Sequence, residues 1–507
     1  MPLHAVARLH DLPEGQGCPA QAGEHHWLLV RQGRQVDAFQ ADCPHAGAPL
    51  AGGAVCAGKL ICPWHKAVFD LHSGQLCELP ALDALKRYRV RLDGERVWVD
   101  DQPLPSAPRP RAKADRRTFA IIGAGAAGTA AALALRENGF AGRILMLDAQ
   151  AEPAYDRTAL SKFVLAGQMA AADTPPLRDP AFYDQQRIER LHTAVARLDH
   201  PARRLELADG TTLPYSAVLL ATGGVPKRLG VPGEGLANVY ALRSREDARQ
   251  LFEHTRPGTR IVVVGSGFIG LEAASALRER GMVVSVISRR QVPFAAQFGD
   301  AVGRRLLELH QAHGVSFHRA RVLRFEGERE VHGVALDNGE QLPAEAVLVA
   351  AGVTPATELL GAEYLDPHQA VRVDAQLRAA EGLWAAGDIA SFPLAGEPTR
   401  VEHWRMAEQH GRLAAANMLG ARQPYDGVPY FWTYHFGQRV DYLGHAQAWE
   451  EEHTLGDLAG MAFLQLLCRG GQVKAVVGCN REAACAWLAE RLKQPLGLSE
   501  ALRRLAH

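Results

Sequence analysis

The chain has 507 residues, 47% of them hydrophobic and 22% charged, and its 56 Lys and Arg match 56 Asp and Glu for a formal net charge of +0. That length exceeds what one hydrophobic core serves and calls for about three or four compact units, while the neutral balance excludes a disordered or polyanion-binding chain and gives no reason to expect nucleic acid as a partner. The opening MPLHAVARLHDLPEG lacks the apolar stretch of a secretory signal, and no run approaches the roughly 20 apolar residues of a membrane span, so a cytoplasmic location without a membrane partner is expected.

In chain order, residues 1–102 read as short alternating strands broken by Gly and Pro turns, a small all-β domain. Residues 103–117 fall in the Pro- and Arg-rich stretch QPLPSAPRPRAKADRR and read as an exposed linker. TFAIIGAGAAGTAAALALRENGFAGRILMLDA then predicts strand, glycine turn, helix and strand, and RIVVVGSGFIGLEAASALRERGMVVSVISRR repeats that plan. The expected fold class is multidomain: the all-β unit, then two Rossmann-like α/β domains and a C-terminal α+β domain. The first α/β domain takes residues 118–240 and 367–423, the second 241–366, and the aromatic-rich C-terminal unit 424–507.

The cysteines are unevenly placed, with five up to Cys77 and none again until Cys468. In a long chain without a secretory signal, such clustering points to metal or redox chemistry rather than a disulfide framework. Cys43-Pro-His45 and Cys62-Pro-Trp-His65 form a C-x-H…C-x2-H pattern. Alternating thiol and imidazole suits a Rieske [2Fe-2S] centre, in which two thiolates hold one iron and two imidazoles the other. The same four donors also suit tetrahedral zinc, although zinc motifs usually group like ligands together, so zinc remains the alternative. The surrounding CPHAGAPL and CPWHKAVFDLHSGQ closely resemble the two cluster loops of Rieske ferredoxins, with Lys66 standing where that family commonly has glycine. Ala48 and Trp64 replace the extra cysteines of membrane-complex Rieske proteins.

Gly123, Gly125 and Gly128 form a G-x-G-x-x-G turn between a strand and a helix, and Asp148 ends the following strand. This is the context of a dinucleotide site, in which the glycines let pyrophosphate approach the helix N-terminus and the acid accepts ribose hydroxyls. Gly265, Gly267 and Gly270 repeat the turn, but Ser288 takes the acid's place, followed by Arg289 and Arg290. Two guanidinium groups in place of a carboxylate favour NADPH over NADH. If those arginines only solvate a loop, either nicotinamide serves.

The two turns, the strand end at Ala221-Thr222-Gly223 and Gly387-Asp388 together resemble the pyridine-nucleotide flavoprotein oxidoreductases over residues 118 to 425. The resemblance implies bound FAD, with Asp388 at the ribityl chain and the strand at Ala194-Val195 lending backbone contacts to the adenine. Disulfide-reducing members carry a cysteine pair beside the flavin, whereas this chain has Tyr155-Asp-Arg157-Thr-Ala-Leu-Ser-Lys162 there, which excludes dithiol chemistry. YDRTALSK is similar to the oxygenase-coupled ferredoxin reductases and apoptosis-inducing-factor-like proteins. That similarity implies Lys162 near the flavin, paired with Glu272, where a cation stabilises the charge left by hydride transfer. Trp404 either covers the flavin ring or packs in the core, and Phe431 and Trp432 are expected at a domain interface. The resulting expectation is an NAD(P)H:acceptor flavin oxidoreductase that sends electrons through its own cluster to an external oxygenase, ferredoxin or cytochrome, with a homodimer left open. The alternative is an apoptosis-inducing-factor-like redox sensor that oxidises NAD(P)H slowly.

Overall fold

A computed structural model describes residues 3–105, 114–150 and 152–505, so the greater part of the linker read at 103–117 lies outside the described residues. The chain divides into two compact units. One contains residues 1–110, 426–431 and 441–507, and the other residues 111–425 and 432–440.

In the first unit a six-stranded antiparallel sheet carries the N-terminal core. Its Leu28, Val30 and Phe39 lie on one face and Trp27, Leu29 and Ala38 on the other. Such strict alternation follows from the two-residue side-chain period of a strand. A second sheet, of the short strands Ala54–Cys56, Lys59–Ile61, Val68–Asp70 and Leu76–Glu78, holds the two loops that bear the paired Cys and His. From the C-terminal region, Glu451–Asp457, Ala462–Arg469 and Gln472–Cys479 form an antiparallel run followed by helices Glu482–Arg491 and Leu498–Leu505. Helix Glu482–Arg491 lies against strands Ala54–Cys56 and Lys59–Ile61, so the N-terminal and C-terminal regions are packed together.

The second unit contains two parallel sheets. In the first, Ile188–His192, Arg143–Asp148, Thr118–Ile122, Ala217–Leu220 and Leu383–Ala385 are adjacent and parallel, with antiparallel Arg378–Ala380 at the edge. The second orders Val239–Tyr240, Ala346–Val349, Arg260–Val264, Val283–Ser288 and Ser316–Arg319, all parallel. Continuous apolar runs such as FAII and IVVV are buried on both faces, as parallel sheets covered by helices require. Ligands of such sheets bind outside the carboxyl ends of the strands, where both glycine turns lie. Among the described residues no helix is long and apolar enough to cross a membrane.

Candidate functional site: a cluster cradle and two dinucleotide turns

The two cluster loops share one backbone design. In the first, Cys43 N donates to Ala48 O at 2.8 Å and Gly47 N to Cys43 O at 3.0 Å; in the second, Cys62 N donates to Ala67 O at 2.9 Å and Lys66 N to Cys62 O at 3.2 Å. Both turns need a left-handed residue at the same place, filled by Gly47 with φ 72° and by Lys66 with φ 58°. A non-glycine residue there costs of the order of 1–2 kcal/mol, so Lys66 must be held. Its side chain is fully buried, with Nζ 2.7 Å from Asp441 Oδ2 and 2.5 Å from Pro63 O. The Tyr430 hydroxyl lies 3.0 Å from both Asp441 Oδ1 and Trp64 O, and Lys66 Nζ stands 5.3 Å from the Tyr430 ring centre. The second loop thus keeps its shape without glycine, through a latch to the C-terminal region.

The four candidate ligands converge. His45 Nδ1 and His65 Nδ1 are 3.1 Å apart at the exposed rim, while Cys43 and Cys62 are buried below. The hydrogen bond between the thiols lowers that of Cys62 to about 6 and raises that of Cys43. Two sulfurs form one pair and two imidazole nitrogens the other, the donor set of a [2Fe-2S] cluster with mixed ligation.

At the first dinucleotide turn Gly123 has φ 102°, and a Cβ there would collide with the Ala221 carbonyl. A Cβ on Gly125 would meet nothing, and no side chain caps the helix Ala126–Glu137 that Gly125 precedes. Gly128 packs directly on the Gly123 carbonyl. Open space before uncapped N–H groups is what a pyrophosphate requires, so these residues fit FAD. Asp148 is half-buried, with its carboxyl pushed up by burial, and borders a small pocket shared with Met146, Tyr183, Arg190 and His192. Val195 begins the antiparallel strand Val195–Asp199, and Thr222 Oγ1 donates to Ala356 O at 2.6 Å. Arg157 donates to Arg243 O and to Gln150 Oε1. Asp388 sits on the turn Gly387–Ile389 with Arg243 Nη2 3.7 Å away; burial raises its carboxyl, while Arg243, Arg400 and Arg157 oppose the rise. Trp404 opens the helix Trp404–Met418 and packs, half-buried, against the core of the first α/β sheet.

The second turn repeats the first: Gly265 has φ 118° and abuts the Ala350 carbonyl, Gly270 packs on Gly265, and Gly267 faces open space before an uncapped helix. Ser288 Oγ lies 2.7 Å from Ser266 Oγ, and Arg289 and Arg290 are exposed at the strand's end.

Lys162 lies on the π-helical turn Leu160–Val164, a wide helical form frequent at functional sites. Its Nζ is 3.0 Å from Glu272 Oε2, with both side chains buried, and stands 4.7 Å from the centre of the Trp432 ring. Trp432, expected at a domain interface, stands beside this lysine, a role the sequence does not mark. Sequence reasoning misses Ser161, which donates to Glu272 Oε2 at 2.5 Å, and Thr433, which donates to Glu272 Oε1 at 2.7 Å. Arg243 carried no local signal either.

His410, on the helix behind this region, is fully buried with neither ring nitrogen paired among the described residues, and burial depresses it to about 3. Below the ordinary value of 6.5 the unfolded chain therefore binds a proton that the folded chain refuses, and stability falls as pH drops from 6.5 towards 3. His410→Phe should remove about 2 kcal/mol of the loss at pH 5, seen as a flatter dependence of Tm on pH between 7 and 5.

Comparison with known proteins agrees with this geometry. The Rieske [2Fe-2S] domain profile matches residues 3–89, and the pyridine nucleotide-disulphide oxidoreductase profile matches residues 117–411. Human apoptosis-inducing factor 3 is 34% identical over 96% of this chain and 83% of its own length. The ferredoxin–NAD(+) reductase component of the anthranilate 1,2-dioxygenase system of Burkholderia cepacia is 37% identical over 71% of this chain and 90% of its own. Among solved structures, a ferredoxin reductase from Rhodopseudomonas palustris aligns with TM-score 0.73 and 29% identity, over 77% of this chain and 100% of that one. More than half of the chain is thus matched by one profile, and this protein belongs to the pyridine nucleotide-disulphide oxidoreductase family, as a flavoprotein with FAD, NAD(P)H as substrate and an N-terminal Rieske [2Fe-2S] domain.

Proposed function

We propose that the chain is a reductase of ferredoxin-reductase type that takes hydride from NAD(P)H and passes the electrons through its own cluster to an external one-electron acceptor protein in the cytoplasm. FAD, when bound, accepts two electrons as hydride and releases them singly, which suits a one-electron cluster. The observation that carries the reading is the pairing, in one chain, of a two-thiol, two-imidazole cradle with a cysteine-free Lys162–Glu272 site between two dinucleotide turns. In this reading Gly123, Gly125, Gly128, Asp148, Arg157, Val195, Ala221, Thr222, Asp388 and Trp404 serve the flavin. Gly265, Gly267, Gly270, Arg289 and Arg290 serve the nicotinamide nucleotide. Cys43, His45, Cys62 and His65 hold the irons.

Anaerobic titration with NADPH, followed by absorbance and electron paramagnetic resonance, tests this. Flavin bleaching should be accompanied by a mixed-ligand cluster signal, and His45→Ser should abolish the signal while bleaching continues. Bleaching without any cluster signal in the unmodified protein would rule out the relay.

The nicotinamide preference is testable separately. The anthranilate dioxygenase reductase component above is named for NAD(+), but two exposed arginines where an acid would sit argue for a 2'-phosphate here. Replacing Arg289 and Arg290 together by alanine should lower kcat/KM for NADPH about 10- to 100-fold and leave that for NADH within about twofold.

The second reading, slow oxidation with a sensing role, is favoured by the match to apoptosis-inducing factor 3 along nearly the whole chain. A long-lived charge-transfer complex, dimerisation on reduction and negligible turnover with any acceptor would select it.

A further inference from the structure

Behind the Lys162–Glu272 pair the second unit contains a run of polar side chains in an otherwise apolar interior. Thr433 Oγ1 donates to Glu272 Oε1 at 2.7 Å and lies 3.1 Å from His435 Nε2; His435 Nδ1 lies 3.2 Å from His310 Nε2. All three added residues are fully buried. His310 Nδ1 has no partner among the described residues. It belongs to the last turn of the helix Asp300–Ala312, one turn from the exposed His313, whose ring stacks on Phe436 at 4.0 Å.

The direction of the hydrogen bonds follows from the chemistry at one end. An ionised carboxylate only accepts, so the Thr433 hydroxyl must donate to Glu272 and therefore accept from His435 Nε2. His435 Nδ1 is then bare and accepts from His310 Nε2, which leaves His310 Nδ1 as a buried, unpaired acceptor. Every donor points towards Glu272, and the one free lone pair faces away from it. Burial depresses both histidines, His435 to about 3 and His310 well below its ordinary value, which keeps both rings neutral at rest, as this pattern needs.

We propose that Thr433, His435 and His310 are a proton wire that charges Glu272 from solvent when hydride enters the flavin site. Hydride brings one nucleus and two electrons, so the buried pocket gains one negative charge. One proton taken at His310 Nδ1 restores the balance: it displaces the Nε2 proton onto His435 Nδ1, which releases its own to Thr433, whose hydroxyl proton passes to Glu272 Oε1. Protonation of Glu272 frees the Lys162 ammonium, its only ion-pair partner among the described residues, to face the new charge. Besides His435, the titratable group that acts on His310 among the described residues is His313, and it lies at the solvent end. When the two electrons leave to one-electron acceptors, Glu272 returns its proton outward and the hydride's nucleus leaves as a second proton. The inference rests on the flavin reductase reading and adds to it a route and a stoichiometry.

The test uses the holoprotein, mixed anaerobically with one equivalent of NADPH in weak buffer containing a pH-indicator dye. One proton should be withdrawn from solution per flavin bleached, in step with the bleaching. In His435→Phe and Thr433→Val the proton uptake should lag bleaching at least tenfold, whereas Thr433→Ser, which keeps the hydroxyl, should restore synchrony. A merely structural role would slow both signals together or lower flavin content, and that outcome, like unchanged synchrony in both variants, overturns the wire.

An equilibrium measurement covers the case of variants that lose flavin. At pH 8 the two-electron midpoint potential should fall about 60 mV per pH unit in the unmodified protein, two protons at about 30 mV each, and about 30 mV in Glu272→Gln. A slope of about 30 mV in the unmodified protein overturns the uptake. If nicotinamide bleaches no flavin at all, the reductase reading fails instead, a result distinct from bleaching without uptake.

Discussion

Asp441→Asn should cost about 3–5 kcal/mol in the unit that contains the cluster loops, because it removes the carboxylate charge that faces the buried Lys66 ammonium at 2.7 Å. The neutral amide keeps the shape of the carboxylate, so the loss reports the charge and not a cavity. Thermal unfolding monitored at the cluster absorbance should show the drop, and the cluster should be lost at a lower temperature than the flavin. Removing both partners is a different experiment. Lys66→Met combined with Asp441→Leu dispenses with the cost of keeping two ions dry, and should recover most of the stability lost by the single variant. A double variant as unstable as the single would show that the pair contributes through the Tyr430 and Pro63 contacts rather than through its charges.

The second large effect is expected at the flavin. Lys162→Met should slow hydride transfer from nicotinamide about 10²- to 10³-fold, the range found when one preorganised electrostatic donor is removed from a reacting centre. The ammonium sits 3.0 Å from Glu272 and over the Trp432 ring in a buried pocket, where its field is weakly screened. Stopped-flow bleaching at saturating nucleotide measures the step directly. Flavin content and nucleotide affinity should change little, because the glycine turns and Asp388 lie on other elements. A variant that binds flavin normally and bleaches at the original rate would remove Lys162 from the chemistry.

The parts of this protein legible in its sequence are those whose chemistry is local. A G-x-G-x-x-G turn has to be read within one strand, one bend and one helix, and at both turns the first glycine takes the positive φ that the motif demands. The cluster ligands are legible for the same reason, since each loop supplies one thiol and one imidazole within a few residues. Lys66 shows where that reading stops. Sequence marks it as a departure from glycine, but the residue that explains it, Asp441, lies 375 positions away. Thr433 and His435 are hidden likewise, 161 and 125 positions from the Glu272 and His310 they meet. Nothing local distinguishes them from the aromatic segment around them, which reads as packing.

The long interval between Lys66 and Asp441 bears on how the protein is made. A chain synthesised from its N-terminus completes both ligand-bearing loops while the strand that supplies Asp441 is still unmade. Through that period the lysine remains hydrated and without its carboxylate partner. Emergence of the last strands then seals the lysine against its carboxylate, so the second ligand loop gains its final support only once the C-terminal region has been made.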